Sequence, residues 1–294
     1  MTISLKNLSK EDLKIYSNSR LFEIYKNLDQ ESLKCISYFQ AYEEMFSKFV
    51  GKEIVFVEIG VLHGGSLFMW KEYFGSKAKI IGIDLNPKAK QLEKYGFDIF
   101  IGNQADLNFW KKFYEKVGKI DILLDDGGHD NDQQIITLTE SIPFINNGGI
   151  IVTEDTHASY LKKHGNPSMH SFINYSKHLV DVVNSRFPGT KIKTKNKFRK
   201  KLFSVIFYES IVAFKIDSEK CVENISIHNE KKNLEDMQDV YKTNYFPRVS
   251  KFINEKFPNL HEIPIIKKII RKIFFNHNIW IKIRNNLRLK KYFD

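Results

Sequence analysis

Two short apolar runs in this chain each end in a burst of carboxylates. The first reads Asp121-Ile-Leu-Leu-Asp125-Asp126-Gly127-Gly128-His129, the second Gly149-Ile-Ile-Val-Thr153-Glu154-Asp155-Thr156-His157. A short branched apolar run bounded by turn residues is the pattern of a strand buried on both faces. Strands of that kind belong to parallel sheets covered by helices, and such sheets bind ligands beyond the carboxyl ends of their strands. The two runs therefore predict that Asp126, Glu154 and Asp155 converge on one point. Three carboxylates that close repel one another unless a cation lies between them, and hard cations such as Mg²⁺ take oxygen ligands. His129, three residues past Asp126, is within reach of the same point. Taken singly, Asp-Asp-Gly-Gly is ordinary turn chemistry and Glu-Asp-Thr an ordinary helix start. Two such clusters at strand ends, with His129 in the first, favour a functional reading.

Upstream, Glu53-Ile-Val-Phe-Val-Glu58-Ile-Gly60 is a third apolar run, followed by Val61-Leu-His63-Gly64-Gly65-Ser66 and a helical pattern through Leu67, Trp70 and Tyr73. Strand, Gly-rich turn and helix form the unit that holds a nucleotide-type cofactor at the first strand's end. The run Lys79-Ile-Ile-Gly-Ile-Asp84 then ends in an acid about 20 residues after the glycines, where a ribose hydroxyl pair is gripped. The spacing Gly60-x-x-x-Gly64-Gly65 is a poor match to Gly-x-Gly-x-x-Gly. Without a pyrophosphate to cradle, that strict spacing is not required, which favours S-adenosylmethionine (SAM) over NAD. Phe97-Asp-Ile-Phe-Ile101 ends in Gly102-Asn103-Gln104-Ala105-Asp106. Its amides suit the edge of an adenine, a plain loop being the alternative.

The order Val57-Glu-Ile-Gly60, Gly64-Gly-Ser66, Gly82-Ile-Asp84, Gly102-Asn-Gln104, Asp125-Asp-Gly-Gly-His129, Glu154-Asp-Thr156 resembles the class I SAM-dependent methyltransferases. More narrowly it resembles the metal-dependent sugar O-methyltransferases of the macrolide (mycinamicin) tailoring type, whose bacterial relatives act in capsule or surface-glycan synthesis. The resemblance spans roughly residues 38–216, with Gly128 in place of the commoner Ser of the middle motif. It implies that Asp126, Glu154 and Asp155 hold Mg²⁺ and that His129 is the general base. It also implies that Glu58, Gly60, Gly64, Ser66, Asp84, Asn103, Gln104 and Asp125 line the SAM pocket, with S-adenosylhomocysteine (SAH) as product. His157 competes with His129 for the role of base. His63 reads as a cofactor-loop or packing residue, and His170 as a surface residue or an acceptor contact.

The expected fold is α/β: a Rossmann-like class I methyltransferase sheet, mostly parallel, closed by a C-terminal antiparallel hairpin and flanked by helical N- and C-terminal extensions. Strands are expected near 54–59, 79–84, 98–101, 121–125 and 149–153, with a hairpin at 203–208 and 211–216. Helices are expected at 65–75, 87–95, 106–117, 131–144 and 168–187, with a turn at Asn146–Gly149. The domains are a helical segment or lid (1–50), a SAM-binding catalytic domain (51–217) and a basic, mainly helical extension (218–294). Tyr38, Phe39, Tyr42, Met45 and Phe46 recur at helical spacing and read as core, with a lid over the cofactor as the alternative.

The formal net charge is +11. Residues 191–201 carry seven basic side chains and no acid, and residues 265–294 nine basic side chains against one acid, so the rest is slightly acidic. A duplex-reading enzyme would carry a basic site face, so nucleic acid is not an expected partner. The basic stretch 191–201 reads as a solvated loop or a grip for a sugar-nucleotide's phosphates. Near the end, Ile266, Ile269, Ile270, Ile273, Phe274, Trp280, Ile283 and Leu287 recur at helical spacing among lysines and arginines. That pattern serves peripheral contact with a membrane or a glycan-assembly complex, or packing on the body or a second copy in a homo-oligomer. No apolar run is long enough to cross a bilayer. No signal-type stretch opens the sequence. The two cysteines, Cys35 and Cys221, fit a reducing compartment. The expected location is cytoplasmic, at most peripheral to the inner membrane.

The leading expectation is a Mg²⁺- and SAM-dependent O-methyltransferase acting on a sugar hydroxyl, of a nucleotide-activated sugar or of a capsule or surface glycan. The alternatives are methylation of a small natural product or diol, an RNA methyltransferase, and a non-catalytic scaffold.

Overall fold

The computed structural model describes residues 4–9, 11, 13, 18–190, 192, 194–227, 229–230 and 286–292. The chain divides into two compact units, Met1–Ser226 and Ile227–Asp294. In the second unit the described residues include a 3-10 turn at Lys290–Tyr292, and Leu287 is exposed. The amphipathic helices expected from Ile266 to Ile283 lie outside the described residues.

The first unit is built on a seven-stranded sheet in the order β3-β2-β1-β4-β5-β7-β6. Its strands are β1 (Ile54–Ile59), β2 (Ala78–Asp84), β3 (Asp98–Ile101), β4 (Ile120–Asp125), β5 (Ile145–Thr153), β6 (Leu202–Tyr208) and β7 (Ile211–Ile216). β1 to β5 pair in parallel, while β7 runs antiparallel to both β5 and β6. Strand order reverses between β1 and β4, and the carboxyl ends at such a switch point are where an open sheet receives ligands. The helices are α1 (Arg20–Lys26), α2 (Tyr38–Phe46), α3 (Gly65–Phe74), α4 (Leu107–Val117), α5 (Asn131–Ser141) and α6 (Phe172–Asn184). Their starts follow local chemistry: Ser19, Asp106 and Ser171 accept from backbone N–H groups of the first turn, and Asp130 with Gln133 forms a capping box.

Most expected elements form within a residue or two; the helix expected over 168–187 is shorter, Phe172–Asn184, and three others differ for local reasons. The helix expected over 131–144 ends at Ser141 and tightens into a 3-10 turn at Ile142–Phe144, because Pro143 has no N–H to continue the ladder. Pro87–Tyr95 is a 3-10 helix, capped by Asn86 and stopped by Gly96 in the left-handed region. The turn expected at Asn146–Gly149 is instead the first part of β5. There the pairing with β4 shifts register between Ile120 and Ile122, and Gly148 takes φ 83°.

Strand periodicity sorts the core into two layers. Ile54 and Phe56 of β1, Ile122 and Leu124 of β4, and Ile150 and Val152 of β5 share one cluster with α1, α2 and α3. Val57, Ile59, Leu123 and Ile151 face the other way, with Trp110, Phe113, Leu138 and Leu179 of α4, α5 and α6. On the first side Tyr42 and Phe46 of α2 pack on Trp70 of α3, and Phe46 also meets Phe56 and Phe74. The aromatic stripe of α2 is thus core: Tyr38, Phe39, Tyr42, Met45 and Phe46 are all buried. Part of the basic stretch is docked rather than free, with Phe198 buried, Arg199 paired with Glu223 and Lys201 donating to the Pro143 carbonyl. Among the described residues no helix is long and apolar enough to cross a membrane. Cys35 is an exposed and Cys221 a half-buried free thiol.

Two substitutions test this packing. Phe46→Ala removes a ring held by four aromatic neighbours and is expected to cost about 3–5 kcal/mol, read as a lowered urea midpoint. Gly60→Ala would set a methyl 2.1 Å from the Asp126 carbonyl oxygen at φ 82°. It is expected to destabilise by more than about 1 kcal/mol in a thermal melt, whereas Gly51→Ala, where a methyl meets nothing within 4 Å, is expected to cost less.

Candidate active site

Register brings the acids together. Ile59 of β1 lies opposite Asp125 of β4, and Asp125 opposite Thr153 of β5. The next residue on each strand is Gly60, Asp126 and Glu154. The row is continued by Asp126 N–H donating to the Ile59 carbonyl and Glu154 N–H to that of Asp125. By parity Glu58, Asp126 and Glu154 extend the face of Phe56, Leu124 and Val152, the side covered by α1, α2 and α3. Gly60 has no Cβ because the Asp126 backbone crosses directly over it.

The three acids on that face meet one ammonium. Lys34 Nζ lies 2.5 Å from Asp126 Oδ2, 3.1 Å from each Glu154 carboxylate oxygen and 3.5 Å from Glu58 Oε1. Its side chain is 2% exposed. Burial by itself would lower the Lys34 pKa, but the charges of Asp126, Glu154 and Glu58 outweigh it and hold the ammonium well above the ordinary lysine range. Burial, reinforced by the charge of Asp126, pushes the Glu154 carboxyl well above the usual carboxylate range. Removing one partner from a buried cluster of this kind leaves uncompensated charge and typically costs about 3–5 kcal/mol. Glu58, fully buried, also accepts from Ser66 Oγ at 2.6 Å and Trp70 Nε1 at 3.2 Å.

Helix α2 completes the arrangement with two phenols one turn apart. Tyr42 donates to Glu154 Oε1, and Tyr38 donates to Asp155 Oδ1 at 2.5 Å. Burial raises both phenol pKa values, so the two groups stay protonated donors. Neither Lys34 nor these hydroxyls was singled out from the sequence. The available signal was a Lys followed at helical spacing by Tyr38 and Tyr42, polar-tipped members of a stripe otherwise made of Phe and Met.

Asp155 turns the other way from Glu154. It sits in the left-handed region at φ 53°, and His129 at φ 60°. His129 Nε2 lies 3.4 Å from Asp155 Oδ2. Its Nδ1 is buried with no hydrogen-bond partner. Two non-glycine residues held at positive φ side by side mark a strained site. Asp126, His129 and Asp155 each offer a ligand atom, all within 4.8 Å of one another. Of the three acids expected around one cation, the structure groups Asp126 and Asp155 with His129, while Glu154 is engaged by Lys34 and Tyr42. The two carboxylates offer the oxygen ligands that a hard divalent cation takes, and the Lys34 ammonium is a stand-in cation on the same Asp126.

The residues expected around the cofactor line the β1–β2–β3–β4 side. Asp84 accepts from the N–H groups of Val61 and Leu62 with Oδ2 and from Asn86 with Oδ1, fixing the Gly-rich turn to the end of β2. Gly64 stands at φ 84° against Leu92 and opens α3. Ser66 spends its hydroxyl on Glu58. Asn103 is exposed and folds back on the Ala105 N–H. Gln104 is buried and uses its amide inside the protein, donating to Asp125 Oδ1 and Thr137 and accepting from Gly128 N–H. It therefore braces the loop that carries Asp126 and His129. Asp125 keeps one buried oxygen, Oδ2, without a partner, and burial pushes its pKa up to about 7. An orphaned buried oxygen beside the turn fits a ligand with a hydrogen-bond donor. His157 is exposed against Ser210 and 3.9 Å from Asp155, and His63 and His170 are exposed.

Residues 57–156 match the family described as "Methyltransferase domain". A 2'-O-methyltransferase of 8-demethyl-8-alpha-L-rhamnosyl tetracenomycin C from Streptomyces olivaceus is 33% identical over 131 residues, 42% of this chain and 34% of the relative. The mycinamicin VI 2''-O-methyltransferase of Micromonospora griseorubida is 29% identical over 126 residues, 40% of this chain and 31% of the relative. The chain thus spans about a third of the length of these curated relatives. Among solved structures, the MycE methyltransferase of the mycinamycin pathway, in complex with Mg and SAH, superposes with a TM-score of 0.63 at 19% identity, over 82% of this chain and 68% of its own. By sequence match over residues 57–156 and by fold, the chain is similar to SAM-dependent methyltransferases, macrolide sugar O-methyltransferases among them.

Proposed function

We propose that the protein transfers the methyl group of SAM to a hydroxyl of a sugar carried on a small molecule, with Mg²⁺ at the acid cluster. The observation that carries this is the convergence of Asp126, His129 and Asp155 at the carboxyl ends of β4 and β5, beside a Gly-rich turn suited to a nucleoside cofactor. The acceptor follows from the relatives. Those described above act, by name, on sugars of glycosylated natural products. This favours the small-molecule alternative over the nucleotide-activated sugar or surface glycan that headed the sequence reading, and capsule synthesis has no support in them. The slightly acidic body speaks against RNA.

In this reading Asp126 and Asp155 hold the cation, with Glu154 joining when its carboxylate is free. Mg²⁺ bound there supplies Lewis acidity toward a neighbouring sugar hydroxyl and fixes its direction. His129 accepts the hydroxyl proton, and Asp155, 3.4 Å from its Nε2, steadies the charged imidazole. Glu58, Asp84 and Asp125 offer carboxylates to the cofactor's ammonium, ribose and adenine, and Gly60 and Gly64 let the backbone approach it. The chain's main contribution is orientation, which holds acceptor oxygen and methyl donor in line.

Turnover of SAM with a panel of glycosylated small molecules is expected to stop with EDTA, return with excess Mg²⁺, and be absent from Asp126→Ala. Turnover that survives both treatments would make the acid cluster structural and remove the metal from the mechanism. His129→Gln is expected to lower kcat by about 10²–10⁴-fold while Mn²⁺ binding persists. Loss of Mn²⁺ binding in that variant would reassign His129 from base to ligand.

A further inference from the structure

The methyltransferase reading leaves Lys34 unexplained, because its ammonium fills the space that the reading gives to ligands. A Mg²⁺ bonded to carboxylate oxygens sits about 2.1 Å from each. An ion held by Asp126 Oδ2 and Glu154 would therefore share the volume of Lys34 Nζ, which lies 2.5 and 3.1 Å from those same atoms. Two cations cannot occupy that volume together. Lys34 also stands 3.5 Å from Glu58 Oε1, the carboxylate nearest the Gly-rich turn on this face.

A second observation concerns the backbone that carries Lys34. Between α1 and α2 the chain crosses the start of α3 as an irregular strap. A Cβ on Gly65 would lie 2.0 Å from the Glu31 carbonyl oxygen and 3.1 Å from Ser32 Cβ. The strap thus lies on the Gly-rich turn where a cofactor would approach. Its outer side chains Asp29, Gln30, Glu31, Leu33 and Cys35 are exposed. Its inward ties include Lys34 itself and the Tyr25 hydroxyl, which donates to the Ser32 carbonyl at 2.8 Å. Leu28 at its start also packs on the core.

Building on the methyltransferase reading, we propose that Lys34 is the resident counter-ion of the ligand-free site, and that the strap at residues 28–37 withdraws it when the divalent cation and cofactor bind. In the closed form the one ammonium bridges Asp126, Glu154 and Glu58. Withdrawal frees both oxygens of Glu154 to join Asp126 and Asp155 around the cation. Glu58 is left facing the cofactor's own ammonium. Apparent ligand affinity is then reduced by the fraction of molecules that are closed.

Two measurements test this on the full chain. Lys34→Met keeps the stem and removes the charge, so Mn²⁺ binding followed by electron paramagnetic resonance is expected to tighten by about tenfold or more. In the wild-type protein, acetylation of Lys34 mapped by mass spectrometry is expected to be slow without ligand. With Mn²⁺ and SAH together it is expected to become as fast as at exposed lysines. Equal or weaker Mn²⁺ binding by folded Lys34→Met overturns the proposal, and so does a Lys34 that stays unreactive in the loaded wild-type protein. If Lys34→Met does not fold, the acetylation result decides alone. A folded wild-type protein that binds neither Mn²⁺ nor SAH would defeat the methyltransferase reading itself, and this inference with it.

Discussion

The site is governed by charge compensation in a dry place. Glu58, Asp126 and Glu154 leave three adjacent strands on one face; Glu58 and Glu154 are buried beneath α2 and α3, and Asp126 stays partly exposed at the rim. A buried carboxylate without a partner is too costly to persist. The fold answers with one ammonium, Lys34, and two sets of neutral donors, the α2 phenols and the Ser66–Trp70 pair on α3. The packing of the N-terminal helices and the chemistry of the strand ends are thereby one problem. The same α2 that lays Phe46 on Trp70 delivers Tyr42 to Glu154.

That coupling gives the N-terminal segment two roles. Glu43 of α2 accepts from Leu21 N–H and Ser19 at the start of α1 and from Tyr73 on α3, tying the three helices together. The strap between α1 and α2 carries the counter-ion. On the opposite face Gln104 and the α5 cap hold the Asp125–His129 loop, so His129 is set by the sheet and not by the strap.

Much of the fold was legible because its signals are local. Branched apolar runs gave the strands, and helical spacing of apolar residues gave most of the helices. The departures also have local causes. Pro143 ends α5 early, and the Gly148 bulge turns an expected loop into the start of β5. Of the site, Asp126, His129 and Asp155 could be grouped from two motifs because parallel register places neighbouring strand ends in one row. Ser66 and Gln104, expected on the SAM side, also make internal hydrogen bonds to Glu58, Asp125 and Thr137. A motif shows which residue type stands at a strand end, not which neighbour takes its polar atoms first.

The sequence alone determined the strand-end chemistry: two apolar runs that end in Asp125-Asp126 and Glu154-Asp155, with His129 three residues past Asp126. It also determined the glycine at position 60, where the chain must pass under a neighbouring loop. Only the tertiary structure decided which groups compensate those acids. Lys34 is 92 residues from Asp126 and 120 from Glu154, separations over which no periodicity carries information. Their meeting depends on how α1 and α2 dock against α3. That docking is set by shape-matched aromatic packing, and packing is a property of many side chains together rather than of any local pattern.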